Sequence, residues 1–293
     1  MVLLSSANRK LTIFQKTSII SSWMNTFSLK RKIILITGGA GYFGQQFVPG
    51  LLDFGADKVI IVEKPGTKNP FPKKYAPRIA WYEVDLYDRE AADRIYDAII
   101  KKHKKIDVLI NNAFEFSPRT GFGAERNVLE KATHEQFFLS FESGIWWAFQ
   151  ATQKFGLIMQ RRGKGTIINI ASPYGVIAPS PLTYEGFEHA PNPPSYGIMK
   201  AGLLQMTRYC ASFMAPVRVN ALLPGAIPNL KEKIHRAGKS YRDGVLDSLS
   251  KRMILGRCGD ASELVGPLIF LASDASSYVT AHSLHVDGGW TQI

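Results

Sequence analysis

The sequence predicts an α/β fold: a doubly wound parallel sheet of about seven strands with helices on both faces. Three observations predict it. Short runs such as Lys32–Thr37 and Thr166–Ala171 are apolar nearly throughout, as strands are when helices cover both faces of a sheet. Stretches of helical periodicity alternate with these runs. The first run ends in a glycine-rich turn, Gly38-Gly39-Ala40-Gly41, where a strand must bend sharply into a helix.

The elements follow in order. Lys32–Thr37 (KIILIT) passes through the glycine turn into a helix ending near Phe54, and Lys58–Glu63 (KVIIVE) and Ile79–Val84 are the next two strands. A helix with its apolar face at Ala91, Ile95, Ala98 and Ile99 leads into Val108–Asn111. Thr166–Ala171 and Val217–Leu222 come later, and Ser283–Val286 closes the series. Neither an internal repeat nor a low-complexity linker interrupts the pattern, so residues 28–293 read as one domain. Residues 1–27 stand apart as an extension. They carry Arg9, Lys10 and Lys16, many hydroxyl groups and no acid; the first acidic residue is Asp53. Such a segment suits an organellar transit peptide, or a frayed tail or start-site artefact ahead of Met24. The second is the expectation, because the folded pattern begins just after Met24.

Composition narrows the function classes. No run approaches 18 apolar residues, which argues against a membrane-spanning helix. Cys210 and Cys258 have no metal-ligand spacing and read as reduced thiols of an intracellular, cytoplasmic protein. The net charge is +12, yet its cations are scattered rather than striped, which argues against nucleic acid. Two short basic groups, Lys101–Lys105 and Arg161–Lys164, fall at expected helix ends, where cations meet the helix dipole favourably. His282 and His285 are three apart on a strand and point to opposite faces, so they make no metal site.

The chemistry-bearing motifs lie at the ends of strands. Thr37, Gly38, Gly41, Tyr42, Phe43 and Gly44 form the turn between the first strand and helix. Glycines there allow a close backbone approach to a pyrophosphate, and free N–H groups at the helix start hold its charge. Glu63 ends the second strand, 19 residues after Gly44. A carboxylate there accepts the adenosine ribose hydroxyls and repels a 2′-phosphate, favouring NAD over NADP; Lys64 partly offsets the repulsion. Of eleven tyrosines, only Tyr196 has a lysine, Lys200, four residues on. On a helix the two share a face, and an ammonium beside a phenol favours its ionised form. Such a tyrosine can exchange a proton with a carbonyl or alcohol while hydride moves.

With these pieces in this order, the chain resembles the short-chain dehydrogenase/reductase family from about Ser28 to its C-terminus. The matching residues are the glycine turn, Asp85-Leu86, Asn111-Asn112-Ala113, Ser172, Tyr196 with Lys200, Asn220, Pro224-Gly225 and Asp287-Gly288-Gly289. The resemblance implies a Rossmann-type sheet and an NAD(P)-dependent enzyme interconverting hydroxyl and carbonyl groups. It implies that Asp85 and Leu86 contact adenine, and that Asn112 and Ala113 line the cofactor cleft. Ser172 would hold the substrate oxygen and Tyr196 would act as acid/base. Lys200 would bind the nicotinamide ribose and depress the tyrosine pKa, and Pro224, Gly225 and Ile227 would frame the carboxamide end. Asp287–Gly289 is expected to be structural, a turn near a subunit contact.

The departures matter as much. The turn has glycines at 38, 41 and 44, as in the family's extended members, and Tyr42 where classical members have glycine. The asparagine of the usual proton relay is missing; its position falls on or near Gly144, and no asparagine lies between Asn127 and Asn169. Asn229 and Ala281 stand where the family often has threonine and glycine.

Twenty-three residues, 173–195, separate Ser172 from Tyr196. They are rich in proline and predict a stiff loop over the site, with Pro173, Tyr174, Tyr184, Phe187, Glu188 and His189 as candidate substrate contacts. Residues 228–257 occupy the place of the family's substrate lid and carry Lys231, Lys233, His235, Arg236 and Lys239, which suit an anionic substrate. Together these features are similar to a bacterial subgroup encoded with flagellin-modification and nonulosonic-acid sugar pathways. The expected substrate is therefore a sugar or sugar-acid derivative. A 3-oxoacyl or small-alcohol reductase is the alternative enzyme, and an idle dinucleotide-binding sensor or scaffold is the alternative class. The aromatic stretch with Trp146 and Trp147 and the apolar C-terminus favour a homodimer or homotetramer.

Overall fold

A computed structural model describes residues 25–122, 129–180, 192–229, 244 and 246–293. Seven parallel strands form one sheet in the order β3-β2-β1-β4-β5-β6-β7. They are β1 (Ile33–Thr37), β2 (Lys58–Glu63), β3 (Ile79–Glu83), β4 (Val108–Asn111), β5 (Thr166–Ile170), β6 (Arg218–Pro224) and β7 (Ser283–Val286). The strand order reverses between β1 and β4, and in such sheets ligands bind beyond the strand ends at that switch point.

Period-two alternation explains why the strands are apolar throughout. Ile34 and Ile36 of β1, with Val59 and Ile61 of β2, enter one core layer. Leu35, Ile60 and Val62 enter the layer on the opposite face, because successive side chains point to opposite faces. The first layer is closed by α1 (Gly44–Asp53) and α5 (Val265–Ala272). The second is closed by α2 (Arg89–His103), by α3 and by the C-terminal part of α4 (Pro194–Phe213). Helix α3 is made of α-helical segments His134–Phe141, Trp147–Ala151 and Leu157–Arg161, joined by π turns at Glu142–Trp146 and Thr152–Gly156. A pi turn adds one residue to the helical circuit and is common near functional sites.

Two expectations need correction. The buried face of α2 is Ala92, Tyr96 and Ile99; Ala98 is exposed and Ala91 and Ile95 are half-buried. Tyr96 carries much of that packing, set edge-on against Phe155 with centroids 5.1 Å apart. The two basic groups are also more than solvated helix ends. Lys105 and Arg162 converge on Asp107, each 2.9 Å from a carboxylate oxygen. Burial alone would raise the Asp107 pKa, but the Ile33 N–H and these two cations hold it below the ordinary carboxylate range. The joint pins the start of β1 to the start of β4 through Ile33.

Among the described residues no helix is long and apolar enough to cross a membrane. Cys210 is buried and Cys258 half-buried, both as free thiols. His285 bonds to Thr291 at 2.9 Å, and no group of three potential metal ligands occurs among the described residues.

Candidate active site

A cavity of about 830 Å³ runs along the C-terminal ends of the strands, from Glu63 past the switch point to Tyr196 and Trp290. At one end, Gly38 has φ +65°, and a Cβ there would lie 2.9 Å from Ala113 Cα. A Cβ on Gly44 would collide with the Gly39 carbonyl. Only glycine lets the turn fold this tightly against β4 and α1. Thr37 and Gly44 therefore build the turn from behind. Thr37 is buried, and its hydroxyl accepts the N–H groups of Asn112 and Ala113, both at 3.2 Å. The Asn112 amide donates to the Gly38 carbonyl at 2.8 Å. Asn111 lies behind it, donating to Asn169 at 2.8 Å.

Gly38, Gly41, Tyr42, Phe43, Glu63 and Lys64 line this end. Glu63 accepts the Ala40 N–H at 2.9 Å, so the carboxylate is held at the edge of the glycine turn. Asp85 and Leu86 border the same end, and Asp85 accepts the Tyr87 N–H at 3.0 Å. Tyr42 spans the cavity, donating its hydroxyl to the Pro228 carbonyl at 2.8 Å. Its phenol pKa is raised by burial and by Asp260. The glycines, the carboxylate at the tip of β2 and the start of α1 fit a dinucleotide, because Gly38 and Gly41 leave the main chain there open to close approach.

At the other end, Ser172, Pro173 and Tyr174 follow β5, while Pro224 ends β6 and Gly225, Ile227 and Asn229 follow it. Ser172 caps the short turn after β5, accepting the Tyr174 N–H at 3.3 Å. It also shares a hydrogen bond with the Tyr196 hydroxyl. Tyr196 and Lys200 lie in the first turns of α4, both buried. The Lys200 ammonium sits 5.7 Å from the Tyr196 ring centroid and donates to the Ile170 carbonyl at 2.8 Å. It does not border the cavity directly.

The expected depression of the Tyr196 pKa is opposed by burial. Burial pushes it up to about 12, against the lowering effect of Ser172. Burial also brings Lys200 down to about 7. Desolvation disfavours both charged forms, and at this separation the ammonium does not offset it. Gly144 gives a second correction to the relay. It lies in the first π turn of α3, and a Cβ there would collide with the sulfur of Met199. Met199 fills the space an asparagine side chain would need, so this position faces Met199 rather than the lysine ammonium.

Several cavity residues carried no sequence signal. Phe114 and Phe116, beyond the Asn112-Ala113 pair, line it, as do Trp147 and Trp290. Trp147 is 8% exposed and packs edge-on against Tyr87 at 4.9 Å, so it serves the interior rather than an outer face of α3. Trp290 is delivered by the Asp287–Gly289 turn, whose two glycines have positive φ. That turn was expected to be structural, and it does position a cavity wall. Tyr184, Phe187, Glu188 and His189, with the basic residues between Lys231 and Lys239, lie outside the described residues.

The model of the family described as enoyl-(acyl carrier protein) reductase matches residues 55–291. The chain belongs to the short-chain dehydrogenase/reductase family. It is similar to 2-dehydro-3-deoxy-D-gluconate 5-dehydrogenase of Escherichia coli (strain K12), with 31% identity over 91% of this chain and 98% of the relative. It is 28% identical to post-translational flagellin modification protein A of Campylobacter coli, over 89% of this chain and 99% of that protein. Among solved structures, a short-chain dehydrogenase from Leptospira borgpetersenii with bound NAD+ superposes with a TM-score of 0.75 at 29% identity, covering 91% and 95% of the two chains. As a member of the short-chain dehydrogenase/reductase family, the protein is an NAD(P)-dependent oxidoreductase with a Rossmann-type sheet.

Proposed function

We propose that the protein interconverts a hydroxyl and a carbonyl on a sugar or sugar-acid derivative, with NAD preferred over NADP. The observation that carries the reading is one continuous cavity with Glu63 and the glycine turn at one end and Ser172, Tyr196 and buried Lys200 at the other. Gly38, Gly41 and the start of α1 would hold the pyrophosphate. Glu63 would accept the adenosine ribose hydroxyls, Asp85 and Leu86 would border the adenine, and Pro224, Gly225 and Ile227 would frame the nicotinamide. When bound, the dinucleotide supplies or accepts the hydride. This chain's own residues handle the proton.

In the reducing direction Tyr196 holds that proton on its hydroxyl, since its raised pKa keeps the phenol neutral across the physiological range. Ser172 shares a hydrogen bond with the same hydroxyl and positions the substrate oxygen beside it. In the oxidising direction Tyr196 must first give up its proton, so alcohol oxidation gains rate as pH rises. Lys200, 5.7 Å from the Tyr196 ring centroid, would then stabilise the phenolate, and would reach the nicotinamide ribose by leaving the Ile170 carbonyl. Pro173 and Tyr174 would contact the substrate. The name of the Escherichia coli relative, a dehydrogenase of a deoxy-gluconate, supports a sugar-derived substrate. A cytoplasmic homodimer or homotetramer is the assembly this reading expects.

The test is hydride transfer with NADH and NADPH over a panel of keto-sugars, comparing wild type with Tyr196→Phe. The substitution removes only the hydroxyl and should lower kcat by about 10²- to 10⁴-fold. Equal rates would leave the protein an idle dinucleotide binder.

A further inference from the structure

The two ends of the cavity differ in charge, and the difference bears on the substrate. The charged lining residues Glu63, Lys64 and Asp85 sit at the ends of β2 and β3. Glu115 is turned away from Tyr196, toward Ser117 at 2.7 Å and Arg119 at 3.6 Å. Around Tyr196 the wall is aromatic. The ring centroids of Phe122, Phe114, Phe116 and Tyr174 lie 5.3, 5.6, 6.0 and 6.4 Å from its own. Tyr174 in turn meets Trp290 edge-on at 5.2 Å. Among the described lining residues at this end there is no Lys, Arg or His.

The placement of Trp290 is built rather than incidental. Asp287 accepts the N–H groups of Gly289 and Thr291, both at 3.0 Å, and the Thr291 hydroxyl at 2.8 Å. Gly225 packs so closely on Asp287 that a Cβ there would sit 2.5 Å from its Cα. The loop after β6 and the C-terminal turn thus hold the tryptophan against Tyr174 from two sides.

Aromatic faces carry partial negative charge and pack well against polarised C–H bonds. A carboxylate seated among them loses its water, and the nearest cation, the Lys200 ammonium 5.3 Å from the Phe114 ring centroid, is buried, bonded to the Ile170 carbonyl and outside the lining, so the desolvation costs free energy. Resting on the oxidoreductase reading above, we propose that Phe114, Phe116, Tyr174 and Trp290 determine specificity. They select a substrate whose non-reacting part is a neutral ring with a C–H-rich face, such as a pyranose or an alicyclic ketone. Within the sugar and sugar-acid range of that reading, they favour neutral rings over open-chain acids.

The experiment compares kcat/KM for cyclohexanone and for a keto-gluconate, using the full chain with saturating NADH. Preference for the neutral ring by at least about tenfold is expected. Trp290→Ala should erase about tenfold of that preference, chiefly through KM, and Trp290→Phe should retain most of it. Titration with NADH checks that both variants keep the folded cofactor site. Should Trp290→Ala lose NADH binding, the wild-type ranking and Trp290→Phe decide. A preference for the acid, or equal losses on both substrates, would overturn the proposal while leaving the oxidoreductase reading intact. If neither compound is reduced, fluorescence quenching of the NADH complex separates the two readings. Tighter binding of cyclohexanone then sustains the aromatic wall and sinks the reaction on this panel, whereas failure of both to bind sinks the wall.

Discussion

The glycine-turn end and the Tyr196 end of the cavity are built on different physical principles. The first is backbone and formal charge: Gly38 and Gly44 pack against main chain, and Glu63 is anchored by the Ala40 N–H. The second is buried side chains with little formal charge, where Tyr196 and Lys200 are both desolvated and both displaced from their ordinary pKa values. One end has a geometry that any strand-to-helix turn of this type can supply. The other tunes protonation through burial. The contrast teaches that the one-turn spacing of a tyrosine and a lysine sets their direction, while the surroundings shift their pKa values.

The largest effect that tests this contrast should come from Lys200→Met, which is expected to lower kcat by about 10²-fold or more. The same variant tests the protonation of the buried lysine. The folded value of Lys200 is about 7, below its ordinary 10.5. Between the two, the unfolded chain binds a proton that the folded chain does not, so stability rises with pH through that window. Above pH 10 the raised Tyr196 value acts in the opposite sense, because the folded chain then keeps a proton the unfolded one loses. Thermal melts from pH 7 to 9.5 should show the rise in wild type and a weaker one in Lys200→Met. Identical slopes would mean that the lysine is not desolvated.

At the other end, Glu63→Gln keeps an acceptor for the Ala40 N–H and removes only the charge. The ratio of kcat/KM for NADP over NAD should increase by at least about tenfold. No change would move cofactor choice to Lys64 or to residues beyond β2.

A smaller effect sharpens the view of the relay. Gly144→Asn should destabilise the fold by about 1–3 kcal/mol through overpacking against Met199, read by denaturant unfolding, without raising kcat. A stable and faster variant would show that Met199 yields and that an asparagine there completes the proton route. The smallest effect is expected where the two ends meet. Tyr42→Phe loses the bond to the Pro228 carbonyl and should cost about 0.5–1.5 kcal/mol, measured by thermal unfolding.

Much of the molecule was legible from local pattern. The apolar runs located the strands because burial on both faces leaves no polar alternation to blur them. The glycine turn was legible because positive φ and backbone contact demand glycine at fixed spacing. Ala98 was misplaced on the buried face of α2, while Ala91 and Ile95 pack half-buried at its edge, because alanine suits either side of a helix and the bulk of Tyr96 decided its orientation. Phe114, Trp147 and Trp290 left no trace as cavity residues, since an aromatic in a core and one in a pocket look alike along the chain.

The sequence by itself determined the order of strands and helices, the glycine turn, and the one-turn spacing of Tyr196 and Lys200. These depend on neighbours within a few residues, where backbone geometry dictates the outcome. Only the tertiary structure decided that Lys105 and Arg162 share Asp107, that Gly144 faces Met199, and that Trp290 comes round from the C-terminus to the wall beside Tyr174. It also decided that burial raises the pKa of the Tyr196 phenol against the lowering effect of Ser172. Each of these depends on how much water remains between residues distant in the chain, and desolvation is a property of the packed molecule rather than of any segment of it.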